Sequence, residues 1–313
     1  MNNINSLPLV IGLGELLWDC FEDERRPGGA PANVAFQANQ LGCRGTVVTR
    51  VGQDELGNEL LEFLKQQGLS VDHVQVDESF PTGTVTVQYS DANDPQYTIH
   101  EHVAWDHLEF NEDLSALMQQ SQAVCFGTLA QREPASREAI HQCLAATTEN
   151  CLVVYDVNLR QDYYERSWME RSLAAAKMVK LNQDEVDKLS EIMELSIDSP
   201  RQFADQIQKD YQLDAVCITR GAEGCQIYSD GQEFDIPGSP VEVVDAVGAG
   251  DAFTAALISR RLLGWDWRQA ALFANRVGGL VASQAGAMPV LKQEFEQLSQ
   301  EYKILNDRFR QNY

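Results

Sequence analysis

The stretch VVDAVGAGDAFTAALISRRLLG, Val243–Gly264, joins a glycine-rich segment to a helical one. Its second half has apolar residues at helical spacing and ends at Gly264, which predicts a helix with a glycine stop. Gly248, Ala249 and Gly250 then lie at the helix start, where free backbone N–H groups and the helix dipole favour an anion. Their lack of bulk lets a ligand approach the backbone closely. The stretch therefore predicts an anion-binding helix start.

Asp251 follows these small residues and lies in the first helical turn. A carboxylate beside an anion pocket can accept the proton of a hydroxyl that attacks a phosphoryl group. The alternative is that Asp251 only caps the helix, as Asp often does. Other phosphate-binding patterns do not compete, because the chain has no G-x-x-x-x-G-K-[ST] and GLGELL lacks the third glycine of a dinucleotide fingerprint.

Strand-like and helix-like segments alternate along the whole chain. Apolar runs such as LPLVIGLG, GTVVTRVG, AVCFGTL, CLVVYDVNL and AVCITRG are separated by helical patterns such as DELGNELLEFLKQQG. This order predicts an α/β fold with a doubly wound, mostly parallel sheet that helices cover on both faces. Ligands of such sheets bind at the carboxyl ends of the strands.

One segment breaks the alternation. Thr82–Trp105, TGTVTVQYSDANDPQYTIHEHVAW, alternates polar and apolar residues around an SDANDP turn, which predicts a β-hairpin. A further short strand is expected at Leu17–Phe21. We therefore expect one domain over residues 1–313 with a small β-sheet lid, built from approximately residues 16–27 and 82–105.

Composition excludes some classes of function. The 313 residues include 24 Lys and Arg against 47 Asp and Glu, a formal net charge of −23, which argues against nucleic-acid binding. Apolar runs are too short for a membrane helix, and the first residues lack the basic segment of a signal peptide. We expect a cytoplasmic protein with no nucleic-acid or membrane partner.

Several separated motifs together resemble the ribokinase-type (PfkB-type) carbohydrate kinases. PGGAPANVAFQANQLG at Pro27–Gly42 resembles the N-terminal signature of that family, and VEVVDAVGAGDAF resembles its C-terminal signature. Between them, KLNQDE at Lys180–Glu185 is similar to the family's N-x-x-E motif, and ITRGAEG at Ile218–Gly224 to its T-x-G-x-x-G. The resemblance covers nearly the whole chain and implies a ribokinase-like fold and ATP-dependent phosphorylation of a sugar hydroxyl, with Mg²⁺ on the nucleotide phosphates.

The resemblance also implies roles for matching residues. Asp251 would be the base, and Gly248, Ala249 and Gly250 would form the anion hole that stabilises the transferring phosphoryl group. The sugar would be bound by Asp19, Gly28, Gly29 and Asn33, the last because an amide both donates to and accepts from hydroxyls.

The nucleotide and metal sites follow from the same resemblance. Asn182, Thr219, Gly221, Gly224 and Asn275 would bind the nucleotide. Glu185 would hold Mg²⁺ through water, because Mg²⁺ retains several waters. Whether K⁺ binds at Asp245 stays an open question, because Val290 has no side-chain oxygen to complete such a site.

The identity of the sugar depends on two strand ends. Asn158 and Arg160 close CLVVYDVNLR, and Gln131 and Arg132 close GTLAQR. Two arginines in the pocket would favour a sugar acid such as 2-keto-3-deoxygluconate, and one arginine with Asp19 and Asn33 a neutral ketose. The pair GELLWD and GGAPANVA most resembles fructokinases, so the leading prediction is a fructokinase.

Other functions remain open at this point. A ribokinase or nucleoside kinase belongs to the same class. A sugar-binding regulator without turnover and a nucleotide-dependent dehydrogenase belong to other classes. The lid could also pair two subunits into a homodimer.

Overall fold

The computed structural model describes residues 7–89 and 95–311, and within these ranges strands and helices alternate. The strands are β1 (Leu9–Leu13), β2 (Leu17–Cys20), β3 (Arg25–Gly28), β4 (Arg44–Gly52), β5 (Val74–Asp77), β6 (Gly83–Tyr89), β7 (Pro95–Ile99), β8 (Ala123–Phe126), β9 (Leu152–Asp156), β10 (Met178–Asn182), β11 (Ala215–Thr219), β12 (Gly224–Ser229) and β13 (Gln232–Pro237). The helices are α1 (Ala30–Gln40), α2 (Glu55–Gln66), α3 (Glu112–Gln120), α4 (Pro134–Ala145), α5 (Arg166–Ala175), α6 (Gln183–Ile192), α7 (Pro200–Tyr211), α8 (Ala249–Leu262), α9 (Trp267–Ala282) and α10 (Lys292–Gln311).

The larger sheet has nine strands in the order β13-β12-β11-β10-β9-β8-β1-β4-β5. The strands from β11 to β5 pair in parallel, and β12 and β13 add an antiparallel edge. β1 lies inside the sheet, and the chain continues from it first to β4 on one side and later to β8 on the other. The order of the strands therefore reverses at β1. Open α/β sheets bind their ligands at such a point, outside the carboxyl ends of the strands.

Helices cover both faces of this sheet, as the sequence predicts. Ile11, Val153 and Tyr155 pack in a core with residues of α3, α4, α5, α6 and α7. Val10 and Val154, their neighbours along the strands, pack in a second core with residues of α1, α8, α9 and α10. This alternation is the pattern of strands that are buried on both faces. It confirms the doubly wound α/β fold.

The smaller sheet has the order β3-β2-β6-β7. β2 pairs antiparallel with β3, β6 pairs antiparallel with β7, and β2 and β6 join the two hairpins in parallel. We call these four strands the lid. They match the two segments from which the sequence predicts the lid to within one residue, since β3 ends at Gly28. Residues 90–94 of the predicted SDANDP turn lie outside the described residues.

The predicted hairpin extends too far in its second half. β7 ends at Ile99, His102 takes a positive φ of 57°, and residues 104–107 form a 3₁₀ turn. Trp105 is buried in this turn, and the Arg132 guanidinium stacks 4.0 Å from its ring centre. Burial of this large aromatic side chain in the core ends the strand before the polar–apolar alternation stops. Among the described residues, none of the helices is both long enough and apolar enough to cross a bilayer.

Candidate active site

The start of α8 presents backbone donors at the carboxyl side of the larger sheet. Gly248 is the Ncap residue and takes a left-handed conformation, with φ 77°. A Cβ at this position would lie 2.5 Å from the Cα of Ala287, so only glycine fits the turn. The first-turn amides of a helix have no intrahelical acceptor. Those of Gly250 and Asp251 therefore belong to a helix start of the kind that binds anions, whereas the Ala249 amide already donates to the carbonyl oxygen of Ala246 at 3.2 Å.

Asp251 is held against α1 and is not the cap of its own helix. Asn33 Nδ2 donates a 2.7 Å hydrogen bond to Asp251 Oδ2, which joins two residues 218 positions apart. Because Gly248 occupies the Ncap position, the capping alternative for Asp251 loses its basis. The structure brings together the predicted base and Asn33, one of the predicted sugar contacts.

The protonation of Asp251 is set mainly by burial. Burial raises the pKa of Asp251 from 3.8 to about 6, and the negative charge of Asp156 adds to the rise. The hydrogen bond from Asn33 and the charges of Lys180 and Arg160 oppose it. A carboxylate with a pKa near 6 is ionised at neutral pH and is more basic than an exposed aspartate, which suits a general base.

A buried ion pair beside this helix start was not predicted from the sequence. Lys180 Nζ lies 3.0 Å and 3.1 Å from the two carboxylate oxygens of Asp156, and both side chains are at most 10% exposed. Thr254 Oγ1 lies 3.0 Å from Asp156 Oδ2 and 3.0 Å from the carbonyl oxygen of Gly250. A Cβ on Gly250 would be 3.4 Å from Lys180 Nζ. The ammonium thus lies directly beside the predicted anion hole.

Lys180 remains charged despite its burial. Burial alone lowers its pKa, but the carboxylates of Asp156, Asp251 and Glu185 outweigh that effect, and the net pKa is raised. Lys180 lies two residues before Asn182, and Asp156 lies two residues before Asn158, but neither position by itself indicates the pair. The two residues are register partners on β10 and β9.

The predicted sugar contacts of the lid lie close to one another. Asp19 is on β2, and a Cβ on Gly28 of β3 would come within 2.5 Å of Asp19 Oδ2, so Gly28 leaves room for this carboxylate. Gly29 follows with φ 109° and is the Ncap residue of α1. Asp19 lines a cavity of about 1430 Å³ between the lid and the segment from Val244 to Val247.

Arg160 lies among three carboxyl groups. Burial raises the pKa of Glu15 to about 7, of Asp19 to about 6 and of Asp251 to about 6, and the Arg160 charge opposes each rise. Glu15 was not predicted as a site residue. Its Oε1 accepts a 3.2 Å bond from the Ala30 amide, and its Oε2 has no hydrogen-bond partner among the described residues.

Two other predicted sugar contacts, Asn158 and Arg160, lie in the loop after β9. Arg160 is exposed, and its Nη1 donates to the carbonyl oxygen of Leu159. Asn158 is half-buried with φ 42°, an uncommon left-handed conformation that asparagine tolerates better than most residues. Both follow the end of β9, so the strand-end prediction places them correctly on the carboxyl side of the sheet.

The other strand end, GTLAQR, does not supply the expected sugar contacts. Gln131 is fully buried, where its Nε2 donates to Gly127 O (2.8 Å) and Ser172 Oγ (3.0 Å). Arg132 is paired at two points with Asp106, at 2.8 Å each, and its side chain is 4% exposed. Both residues lie at a 3₁₀ turn that spans Leu129–Gln131, and both side chains are buried against other protein groups.

The N-x-x-E motif forms the start of α6. Asn182 Oδ1 accepts from the Glu185 amide (2.9 Å), and Glu185 Oε2 accepts from the Asn182 amide (2.8 Å), which is a capping box. Glu185 Oε1 accepts from the Leu159 amide at 2.9 Å. Burial is the largest cause of the raised pKa of Glu185. Glu185 therefore also fixes the loop that carries Arg160.

The predicted nucleotide residues line one side of the sheet's carboxyl edge. Thr219 ends β11 beside Asn182 at the end of β10, and Gly221 and Gly224 take positive φ values of 54° and 95° in the turn that follows. Asn275 on α9 donates to the carbonyl oxygen of Pro237 (3.2 Å), so it anchors the segment after β13.

That segment carries apolar side chains that the sequence did not indicate as functional. Val241, Val243 and Val244 are 42%, 58% and 65% exposed. Val241 Cγ1 would lie 3.8 Å from a Cβ on Gly279 of α9. We call the exposed apolar surface of Val241, Val243 and Val244 the valine slot.

Comparison with known proteins identifies the class. The family model described as pfkB family carbohydrate kinase matches residues 6–294. The chain belongs to this family and is an ATP-dependent carbohydrate kinase.

Individual relatives agree with this membership. An uncharacterised sugar kinase of Pyrococcus horikoshii is 29% identical over 292 residues, which cover 89% of this chain and 91% of the relative. Its structure in complex with ATP has a TM-score of 0.77 at 28% identity and covers 90% of this chain and 94% of that chain.

Two fructokinases are similarly close. The fructokinase of Escherichia coli is 29% identical over 283 residues, 86% of this chain and 91% of the relative. The fructokinase of Vibrio cholerae, solved with fructose, ADP and calcium, has a TM-score of 0.77 at 25% identity and covers 91% of this chain and 96% of that chain.

The Asn33–Asp251 bond gives a pH prediction. If Asp251 is the base, turnover falls as pH drops through about 6, because burial raises the pKa of Asp251 to that value and only the ionised form accepts a proton. Asn33→Ala removes a bond that favours the ionised form, so we expect the acid limb of kcat/KM to move to higher pH. The control is Asn39→Ala on the same helix, whose amide bonds Gly68 O. An acid limb at the same pH in both variants would show that Asn33 does not tune the base.

Proposed function

We propose that this protein is a fructokinase that transfers the γ-phosphoryl group of ATP to a hydroxyl of fructose. The observation that carries the choice of sugar is the pairing of Arg132 with Asp106, which neutralises one of the two arginines that a sugar acid would require. Arg160 then remains with Asp19 and Asn33, a set of one cation, one carboxylate and one amide. Such a set matches the donors and acceptors of a neutral polyol.

The proposed reaction is a direct transfer between the two substrates. Asp251 accepts the proton of the attacking sugar hydroxyl, and the oxygen of that hydroxyl forms a bond to the γ-phosphorus. The bond from the γ-phosphorus to the bridging oxygen breaks, and its electron pair leaves with ADP. The amides of Gly250 and Asp251 donate to the equatorial oxygens, whose charge the positive end of the α8 dipole stabilises.

Lys180 provides fixed positive charge at the same place. Its ammonium has three N–H donors, and the Asp156 carboxylate accounts for part of them. Because Nζ lies beside Gly250, the remaining donor capacity is available to a phosphoryl oxygen in the anion hole. Burial makes this charge more effective than it would be in water.

The nucleotide site is proposed at Asn182, Thr219, Gly221 and Gly224, with the valine slot beside Asn275 for the adenine. Mg²⁺ fits at Glu185, because each carboxylate oxygen has lone-pair capacity left beyond its one backbone donor, enough to accept from a metal-bound water. Bound Mg²⁺ neutralises charge on the nucleotide phosphates. In this protein, Glu185 would hold one of its waters.

Lid pairing between two subunits stays a prediction. β3 and β7 are the edge strands of the smaller sheet. Open edges can pair with another chain. A second copy of this chain is the partner we expect.

An acceptor panel tests the proposed function. We expect ATP consumption with D-fructose to exceed that with ribose, a nucleoside or 2-keto-3-deoxygluconate. Highest turnover with the sugar acid would contradict the charge argument. Measurable sugar binding without turnover on any acceptor would indicate a regulator.

The assignment of the base has its own variant. Asp251→Asn should lower kcat roughly 100- to 10,000-fold while fructose binding persists, because the amide cannot accept the proton. Asp266→Asn is the matched control, since Asp266 caps α9 through a 2.7 Å bond to the Gln269 amide. Near-normal turnover of Asp251→Asn, or equal losses in both variants, would exclude Asp251 as the base.

Lys180 is tested by removing its charge together with that of its partner. The double variant Lys180→Met/Asp156→Asn leaves no buried charge unpaired, and we expect kcat to fall roughly 100-fold with little change in the KM for fructose. Lys177→Met, just before the same strand, is the control. A double variant that is folded by circular dichroism and turns over like the control would show that Lys180 is structural.

A further inference from the structure

Arg26 connects the lid to the segment that leads into the anion hole. Its Nη1 donates to Asp245 Oδ2 at 3.1 Å, a contact between residues 219 positions apart. Arg26 is on β3, and Asp245 lies three residues before Gly248. Both residues also line the cavity to which Asp19 contributes. The ion pair is therefore a direct link between the sugar-facing lid and the phosphate-facing helix start.

The Asp245 carboxylate organises the turn around itself. Besides Arg26, it accepts 3.0 Å bonds from the amides of Val247 and Gly286. The Val247 bond shapes the approach to Gly248, and the Gly286 bond ties that approach to the segment after α9. Gly286 precedes Ala287, whose Cα lies against the position where Gly248 has no Cβ. The position of the anion hole thus depends on this carboxylate.

The guanidinium is held in place from the other side as well. Arg26 Nη2 pairs with Glu24, and the centre of the guanidinium is 5.1 Å from the centre of the Phe21 ring. Its side chain is 33% exposed and that of Asp245 is 21% exposed. A pair this sheltered is screened less by salt than a fully exposed one.

The residues present do not fit K⁺ at this point. K⁺ is bound by oxygen atoms, whereas the nearest neighbours of the Asp245 carboxylate are N–H donors from Arg26, Val247 and Gly286. A cation there would also lie beside the positive guanidinium. Val290, in the segment that follows, adds no side-chain oxygen. The Asp245 carboxylate is therefore already paired with N–H donors and lacks the oxygen neighbours that K⁺ requires.

We infer that Arg26 is a positioning residue that takes the place of a monovalent cation on Asp245, so that this kinase works without K⁺ and its anion hole is fixed through the lid. The inference rests on the proposed function for its activity readout. It extends that function by assigning to the lid strand β3 a part in holding the catalytic turn.

The test compares Arg26→Ala with Arg25→Ala in KCl and in tetramethylammonium chloride at equal ionic strength. Arg25 is the matched control, because it lies on the same strand but pairs with Glu59 of α2. We expect wild-type and Arg25→Ala turnover to be the same in both salts. Arg26→Ala should lose roughly tenfold in kcat in both salts, because the amides of Val247 and Gly286 still occupy Asp245 and no oxygen is added for K⁺. Arg26→Lys should retain activity, because it keeps a positive donor on Asp245.

A second readout does not require turnover. With ATP present, K⁺ should leave the melting temperature of the wild type unchanged relative to tetramethylammonium, and Arg26→Ala should melt at a lower temperature than Arg25→Ala in either salt. The inference is overturned if K⁺ activates or stabilises the wild type, or if Arg26→Ala behaves like Arg25→Ala in both readouts. If the wild type phosphorylates no acceptor, the proposed function fails, and the melting temperatures still decide the inference.

Discussion

The pairing of buried charges at the start of α8 is the constraint on which the site depends. Asp156 and Lys180 are buried, and the half-buried Asp251 lies beside them at the same helix start. Charges cannot remain in such a place unless each one is paired or hydrogen-bonded. Lys180 is paired with Asp156, and Asp251 is held by Asn33. The positive end of the α8 dipole lies beside these groups, where a phosphoryl group would add negative charge.

The fold supplies this arrangement through strand register. Asp156 and Lys180 face each other because β9 and β10 run in parallel and end at the same edge of the sheet. α8 packs against α1, which brings Asn33 within 2.7 Å of Asp251. The lid then reaches the same turn through Arg26 and Asp245. Three elements far apart in the sequence therefore fix one helix start.

Much of this could be predicted from the sequence, for identifiable reasons. Periodicity is local, so the α/β fold and the lid strands follow from it directly. The start of α8 and the position of Asp251 in its first turn could be predicted because three consecutive small residues, a carboxylate and a helical pattern follow one another without a break. Asn33 was found through the resemblance, and its bond to Asp251 is a long-range contact that no local pattern contains.

The surroundings of four side chains could not be predicted from the sequence, and the cause is the same for each: they depend on contacts between distant parts of the chain. Gln131 and Arg132 do follow a strand, but the rule for strand ends does not state where a side chain points, and both side chains are buried. The ion pair of Lys180 could not be predicted, because a lysine inside an apolar strand indicates a pair only once its register partner is known. The role of Arg26 can likewise be inferred only from its contact with Asp245, 219 residues away.

The most direct measurement is a crystal structure with fructose and a non-hydrolysable ATP analogue. The account predicts the γ-phosphate within hydrogen-bond distance of the Gly250 and Asp251 amides, near Lys180 Nζ, and a sugar hydroxyl about 3 Å from an Asp251 carboxylate oxygen. A γ-phosphate bound elsewhere, or an Asp251 carboxylate that no sugar hydroxyl reaches, would contradict it.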